Sequence, residues 1–404
     1  MELRPLTIDD QPGVDKLMAE AFGRGNRPAP PSETENARPE VAKVRLGIFD
    51  GPRLVACAII NPLTLAWGDA DVPMGGIGGV ACTADQRGRG HVGRLLGESL
   101  RAMRDSGQYL SGLYPFSFSF YRRHGWDWVG EQKQYSVPAS ELKAGPEGRC
   151  LTMYDGLDAL EIVRPVYEQF ARRHYGMGLR LETAPGDTAS YWWKRTLDYG
   201  GNGNRITYVQ VYSNPSTGQP EGYLTFLYPE DGDTGQVGDF VANTPAAYRG
   251  LLSVLHYYGV QVEKVNFSAP MDDPLALHLM HWDLETKIKP LFMGRVVDVP
   301  AALTALRPEP GWSGKIVLQV ADGQCDWNNC TFAVTVDAGC VTVAPTQGVP
   351  GVTLDIQTLS QAYWGQPSLD RLRAAERLPI SDEAQYALLS RLLPPHICFL
   401  RDFF

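Results

Sequence analysis

Residues 80–100 read VACTADQRGRGHVGRLLGESL: a strand-like run, a turn carrying Gly88, Gly90 and Gly93, and an amphipathic helix, about one βα unit. The stretch holds four glycines, three arginines and one histidine. A helix start presents unpaired N–H groups and the positive end of the helix dipole. Glycines ahead of it let the backbone close around an anion, and pyrophosphate is the natural guest. A P-loop needs Gly-Lys-Ser/Thr, which does not occur. A dinucleotide fold needs G-x-G-x-x-G within a βαβ unit. Gly88, Gly90 and Gly93 match those letters, but a helix and a hairpin precede them, which sets a nicotinamide-dependent enzyme aside. An anion cradle of another kind remains.

The flanking sequence supplies a repeating order. Upstream, Asp9 or Asp10 caps a helix with Pro12 in its first turn and Val14, Leu17, Met18, Ala21 and Phe22 on one face. A Pro/Gly-rich loop follows, and then two β-rich runs around Asp50-Gly51-Pro52. Downstream, Val92, Leu95, Leu96, Leu100 and Met103 share a helix face, before strands at YLSGLYP and WDWVGEQKQYSV. Residues 147–287 repeat this order of helix, hairpin, strand and helix, with Val241-Ala242-Asn243-Thr244 matching Val80-Ala81-Cys82-Thr83. The RGRGHVG turn has no counterpart there, so the fold occurs twice and the phosphate turn once, and one coenzyme per chain is expected. From residue 288, four runs alternating with period two are followed by helices, an α+β pattern with no chemical motif of its own.

Composition narrows the function. The chain has 404 residues, 44% hydrophobic and 21% charged, enough for two or three domains. No apolar run spans a membrane, and the polar start MELRPLTIDD lacks a signal-peptide core, so a cytoplasmic protein with no membrane partner is expected. A net charge of −9 disfavours nucleic acid and suits cationic amines, although solubility alone also accounts for it. Seven cysteines, an odd count, argue against a disulfide framework. Neither the Cys325/Cys330 spacing nor His278 and His281 forms a metal cluster, so no metal is expected.

Arg87-x-x-Gly90 after GVACT resembles the acetyl-CoA pyrophosphate loop of the GNAT N-acetyltransferase superfamily. Val92 stands where that superfamily carries Gly or Ala, and is similar to the branched aliphatic residue frequent in the enhanced intracellular survival (Eis) family. LYPFSFSFYRRHGW resembles the tyrosine-bearing segment of Eis-like enzymes, SYWWKRTL resembles their double-tryptophan segment, and Phe404 matches their terminal aromatic residue. The resemblance implies a mixed α/β (α+β) chain of two tandem GNAT-like domains, at 1–146 and a degenerate one at 147–287, with a sterol-carrier-like α+β domain at 288–404. It implies an acetyl-CoA-dependent N-acetyltransferase without metal, and a homo-oligomer, as hexamers are frequent in that family.

On this resemblance Val80, Ala81 and Cys82 offer backbone groups to pantetheine and thioester, and Arg87, Gly88, Arg89, Gly90, His91, Val92 and Gly93 surround the pyrophosphate. Arg87 and Arg89 are otherwise ordinary surface arginines. Tyr121 becomes the general acid for the departing thiolate; on residue pattern alone it is one ring of an aromatic cluster. The α-carboxylate of Phe404 becomes the base, against a pKa mismatch with an alkylammonium that amounts to about 9 kcal/mol in water. Burial narrows that gap, or the carboxylate orients an amine already neutral. Phe22, Phe116 and Asp402 are assigned to the acceptor, Asp402 being equally a solvated surface acid. The acceptor is a small-molecule or lysine-like amine: an aminoglycoside, a polyamine or a lysine side chain. A loop at residues 23–38 is expected to line its pocket. The competing reading is a non-catalytic acyl-CoA or lipid carrier that uses its C-terminal sheet.

Overall fold

A computed structural model describes residues 1–22, 43–181, 189–198, 207–229, 232–279, 284–309 and 311–404. The expected loop at 23–38 and His281 lie outside them. The first strand, β1 (Glu2–Pro5), escapes sequence reading because it is short, polar and largely exposed. Thr7, rather than Asp9 or Asp10, caps the turn that follows. Asp10 instead accepts from the Thr7 N–H at 2.8 Å and from Arg4. Helix α1 (Gln11–Phe22) buries Val14 and Leu17. Strands β2 (Val44–Asp50) and β3 (Arg53–Trp67) join across Gly51-Pro52, and β4 (Ala70–Cys82) returns antiparallel to β3. Helix α2 (His91–Asp105) buries Leu95, Leu96, Leu100 and Met103, the face expected from their spacing. Then come β5 (Leu110–Leu113), α3 (Phe118–Arg122) and β6 (Asp127–Pro138).

The order then repeats, as the sequence implies. The second unit comprises β7 (Leu151–Asp155), α4 (Leu160–Ala171), α5 (Tyr191–Leu197), β8 (Tyr208–Ser213), β9 (Pro220–Leu227) and β10 (Thr234–Ala242). It closes with α6 (Pro245–Tyr258), β11 (Lys264–Ala269), α7 (Leu275–His278) and β12 (Glu285–Val296).

The two units do not form two sheets. Their twelve strands make one, in the order β1-β2-β3-β4-β5-β12-β6-β11-β10-β9-β8-β7. Each unit lends its last strand to the other: β12 pairs with β5 (Met293 opposite Leu113) and β6 with β11 (Phe267 opposite Tyr135). The two exchanged strands pair with each other at the centre, Thr286 opposite Tyr135. The exchange leaves no open edge at the junction, so the relative placement of the units is fixed by backbone hydrogen bonds. It also moves a boundary. A division after residue 287 cuts β12, which runs on to Val296, and β6 completes the sheet of the unit it precedes.

The third unit begins with α8 (Val299–Thr304) and forms β13 (Gly314–Ala321), β14 (Thr331–Asp337), β15 (Cys340–Pro345) and β16 (Val352–Asp355). Its sheet order is β15-β14-β13-β16, with only β16 parallel to its neighbour. Helices α9 (Ile356–Trp364), α10 (Leu369–Ala374) and α11 (Glu383–Leu392) follow. The inward residues Ile316, Leu318, Val334 and Val336 pack with Leu359, Tyr363 and Leu389. That cluster is continuous with Leu63 and Leu65 of β3 and with Trp192 and Trp193 of α5, so the three units share one core. No helix among the described residues is long and apolar enough to cross a membrane.

Arg295 of β12 ties the units together. Its fully buried guanidinium donates to Asp322 at 2.6 Å and to the His124 carbonyl at 2.6 Å, and lies 5.2 Å from the Trp126 ring. Asp322 also accepts from Asn328 at 3.0 Å. Removing one partner of a buried pair leaves the other charge uncompensated. Arg295→Met is therefore expected to lower unfolding free energy by about 3–5 kcal/mol in urea titrations. A loss under about 1 kcal/mol would mean that the pair does not hold the units.

Candidate active site

Strands β4 and β5 pair in parallel from Met74 opposite Leu110 to Ile77 opposite Leu113, and then part. Beyond Ile77, β4 continues to Cys82 with β3 as its only strand neighbour among the described residues. A bulge follows at once: β4 takes three steps from Gly78 to Ala81 while β3 takes two from Ile59 to Cys57. Bulges of this kind re-aim backbone groups and end pairing. Val80, Ala81 and Cys82 consequently line a cleft of about 770 Å³.

The opposite wall is the start of α2. Gly88 and Gly90 adopt φ of +77° and +81°, left-handed values that side chains with a Cβ rarely take. A Cβ at either would meet nothing within 4 Å, so backbone conformation alone requires glycine there. Gly90 caps the helix with no side-chain acceptor. The His91, Val92 and Gly93 N–H groups precede the first intrahelical bond, which Arg94 makes to the Gly90 carbonyl at 3.1 Å. These donors and the helix dipole make a seat for an anion, and fit the pyrophosphate of a coenzyme. Arg87 lines the cleft and donates through Nε to the Cys82 carbonyl at 3.2 Å. Every residue expected at the coenzyme lines this cleft except Arg89, which points into solvent.

The second unit repeats the opening and narrows it, leaving a cleft of about 340 Å³ beside its helix start against about 770 Å³ in the first. Strands β10 and β11 pair from Thr234 opposite Lys264 to Gln236 opposite Asn266, and a bulge follows from Val237 to Phe240. This register puts Asp239, not Val241, in the place of Val80. The four-residue match made on sequence is two positions out of step, because the shorter turn before α6 shifts the motif against the bulge. Arg401 bridges the parted strands, donating to the Ser268 carbonyl at 3.2 Å and lying 3.4 Å from Asp239. Arg173 takes the Ala242 carbonyl at 3.0 Å and the Asn243 side chain at 2.8 Å. At the helix start, Pro245 has no N–H and the Thr244 hydroxyl accepts from Ala247. Carbonyls beside the second opening are thus taken by two arginines, Arg173 and Arg401, whereas beside the first a single arginine, Arg87, takes the Cys82 carbonyl among the described residues.

Tyr121 sits on α3, 3% exposed, in the buried cluster against which Val80 and Val92 pack. Phe116 and Phe120 meet its ring edge-on at 5.3 and 5.2 Å. Burial pushes its phenol up to about 12, so it keeps its proton at any ordinary pH. Burial also lowers His124 and raises Cys82. Phe22 and Phe116 stand at the rim of the cleft, 61% and 71% exposed.

Phe404 arrives from the other end of the chain. The segment after α11 runs beside Tyr175, whose N–H donates to the Ile397 carbonyl and whose carbonyl accepts from Phe399, each at 2.9 Å. It ends against β4. A Cβ on Gly76 would stand 2.6 Å from the Phe404 ring, and one on Gly78 would stand 3.1 Å from the Phe404 carboxyl carbon. Asn61 Nδ2 lies 3.1 Å from the same point. The carboxyl group of Phe404 thus rests on β4 two residues before Val80, on the parted segment.

Asp402 does not join Phe22 and Phe116 at the rim. It is not a surface acid but is buried, 3.0 Å from Arg180 Nε, and lines a separate cleft of about 150 Å³ with Arg180, Asp239 and Phe403. The reason is pairing: a carboxylate next to a buried guanidinium is held in the interior. Sequence reasoning also missed Asn61, Gly76 and Gly78. The run MGGIGG within a strand carried the signal, because strand glycines mark bulges and close approaches. Nothing local in the sequence marks Arg180 or Asp239. Among the described residues no group of side chains could hold a metal ion.

Comparison with known proteins fits this geometry. Residues 2–129 and 188–296 each match an acetyltransferase (GNAT) domain, and residues 299–400 match a sterol carrier protein domain. A Streptomyces avermitilis protein named an uncharacterized N-acetyltransferase is 27% identical over 368 residues, 86% of this chain and 85% of its own length. A probable N-acyltransferase from Enterococcus faecalis superposes with a TM-score of 0.88 at 22% identity, covering 100% of this chain and 99% of its own. Eis1 from Mycobacterium abscessus superposes at 0.78 and 20% identity, covering 100% of both chains.

Gly78→Ala is expected to displace the Phe404 carboxyl group by a few tenths of an ångström, since its Cβ would stand 3.1 Å away. Steady-state kinetics should show kcat down by about tenfold or more, because small misplacements at a reacting centre are costly. An unchanged kcat in a folded variant would remove Phe404 from the site.

Proposed function

We propose that this chain, a GNAT N-acetyltransferase with an Eis-like order of domains, carries an acetyl group from acetyl-CoA to a primary amine of a cationic acceptor. Aminoglycosides, polyamines and lysine side chains are the classes in view. The observation that carries the reading is the parted β4–β5 pair beside a glycine-shaped helix start, found in the first unit and left open to a ligand there. The net charge of −9 supports a cationic acceptor.

In this reading the N–H groups of residues 91–93 and the Arg87 guanidinium bind the pyrophosphate. The backbone of Val80–Cys82 extends the sheet to the pantetheine arm, as an added strand would. Acetyl-CoA supplies the thioester. Tyr121 donates a hydrogen bond, and then its proton, to the departing sulfur. A thiolate formed in this apolar cluster has its own pKa raised by the desolvation that raises the phenol, which narrows the gap between them. The α-carboxylate of Phe404 faces the acceptor, attracts it as a cation and receives or orients its proton. The neutral amine then attacks the thioester carbonyl, the C–N bond forming as the C–S bond breaks and the thiolate taking the proton of Tyr121. Phe22 and Phe116 shape the entrance for the alkyl portion of the acceptor.

A free-thiol assay with a panel of amines tests the reading, with Tyr121→Phe as its control. Thiol release that requires a cationic amine is expected. Tyr121→Phe should lose about 100-fold or more in kcat while the acetyl-CoA KM stays within about threefold. No release with any amine, or an unchanged kcat, would overturn it.

A further inference from the structure

We propose that Arg180 is a positioning residue for the Phe404 carboxylate, and that the second unit holds the catalytic tail at the place where the first unit holds its coenzyme. The proposal rests on the role given to Phe404 above.

Arg180 and Asp402 lie 222 positions apart, yet the guanidinium Nε donates to the Asp402 carboxylate at 3.0 Å. Its two outer nitrogens form a fork on Asp239 at 2.8 and 3.1 Å. Asp239 is fixed in turn by the Tyr223 hydroxyl at 2.7 Å. The side chains of Arg180, Asp239 and Asp402 are 1%, 2% and 5% exposed. The guanidinium also stacks over Tyr167 at 4.1 Å and Trp193 at 4.8 Å. Every contact direction of this arginine is therefore specified.

Three observations separate a positioning role from mere stability. First, Asp239 occupies the bulge position that Val80 occupies in the first unit. There the position lines the coenzyme cleft; here its carboxylate holds Arg180 and lies 3.4 Å from Arg401 of the tail. Second, Arg180 adopts φ of +57°, a conformation unfavourable for any residue with a Cβ, and such strain persists where the surroundings demand one placement. Third, the tail needs a fixed point. Two residues beyond Asp402 can sweep about 7 Å, whereas a reacting group must be held to about 0.5 Å. Arg180 fixes the side chain of Asp402, the Tyr114 hydroxyl fixes its carbonyl at 3.1 Å, and Arg195 donates to the Phe403 carbonyl. A buried ion network adds little net stability over an apolar core of equal volume, but it fixes geometry.

The test uses the full chain, Asp402→Asn, and the chain extended by one glycine after Phe404, alone and combined. The extension should abolish most turnover. D402N keeps the shape and the Arg180–Asp239 pair. It should fold, keep the acetyl-CoA KM within about threefold and lose about tenfold or more in kcat. In the extended chain D402N should cost nothing further, because both changes act through one carboxylate. An extension without effect overturns the role of Phe404 and the proposal with it. An effective extension with D402N at parental kcat, or with additive losses, overturns the Arg180 proposal alone. Should D402N not fold, Arg180→Lys, which keeps the charge and loses the fork, is read by the same comparison.

Discussion

Two parallel strands that part leave a row of backbone N–H and C=O groups without partners, and buried groups of that kind must be satisfied. Much of this molecule follows from how that requirement is met at two places. After Ile77 the first unit meets it by exposing the groups to a cleft, between a bulge at Gly79-Val80 and the start of α2. After Gln236 the second unit meets it internally, with Arg173, Arg401 and a capped helix start that begins with proline. One fold thus gives a wide cleft in one copy and a narrower, braced one in the other.

The strand exchange makes the two copies depend on each other. Each half of the shared sheet is completed by the other unit's last strand, and Arg295 on the exchanged β12 reaches both the Trp126 ring and the Asp322 loop of the third unit. The tail of the third unit then crosses the second unit to lie on β4 of the first. The residues proposed for catalysis, Tyr121 of the first unit and Phe404, lie 283 positions apart. Phe404 packs against the core that runs through Leu65, Trp193 and Leu359, whereas Tyr121 lies in a separate cluster with Ile77, Leu113 and Trp126.

Much of this was legible in the sequence wherever local physics decides the outcome. The glycine turn at 88–93, the face of α2 and the alternation in β13 and β14 are set by neighbours along the chain, and each formed as its pattern implied. The repeat of elements was legible too, but its register was not. A four-letter match placed Val241 against Val80, and only strand pairing shows that Asp239 stands there. Asp402 was misread for a related reason. Whether an acid is solvated or buried depends on a partner 222 positions away, which no local pattern reports. Exchange of β6 and β12 is equally silent, since either strand has the same alternation whichever sheet it joins.

The central claim is that a single coenzyme site exists in each chain, in the first unit. Titration calorimetry of the full-length protein with acetyl-CoA tests it most directly. One equivalent bound per chain is predicted. Two equivalents per chain, the second displaced by substitution of Arg173 or Thr244 in the second unit, would contradict it.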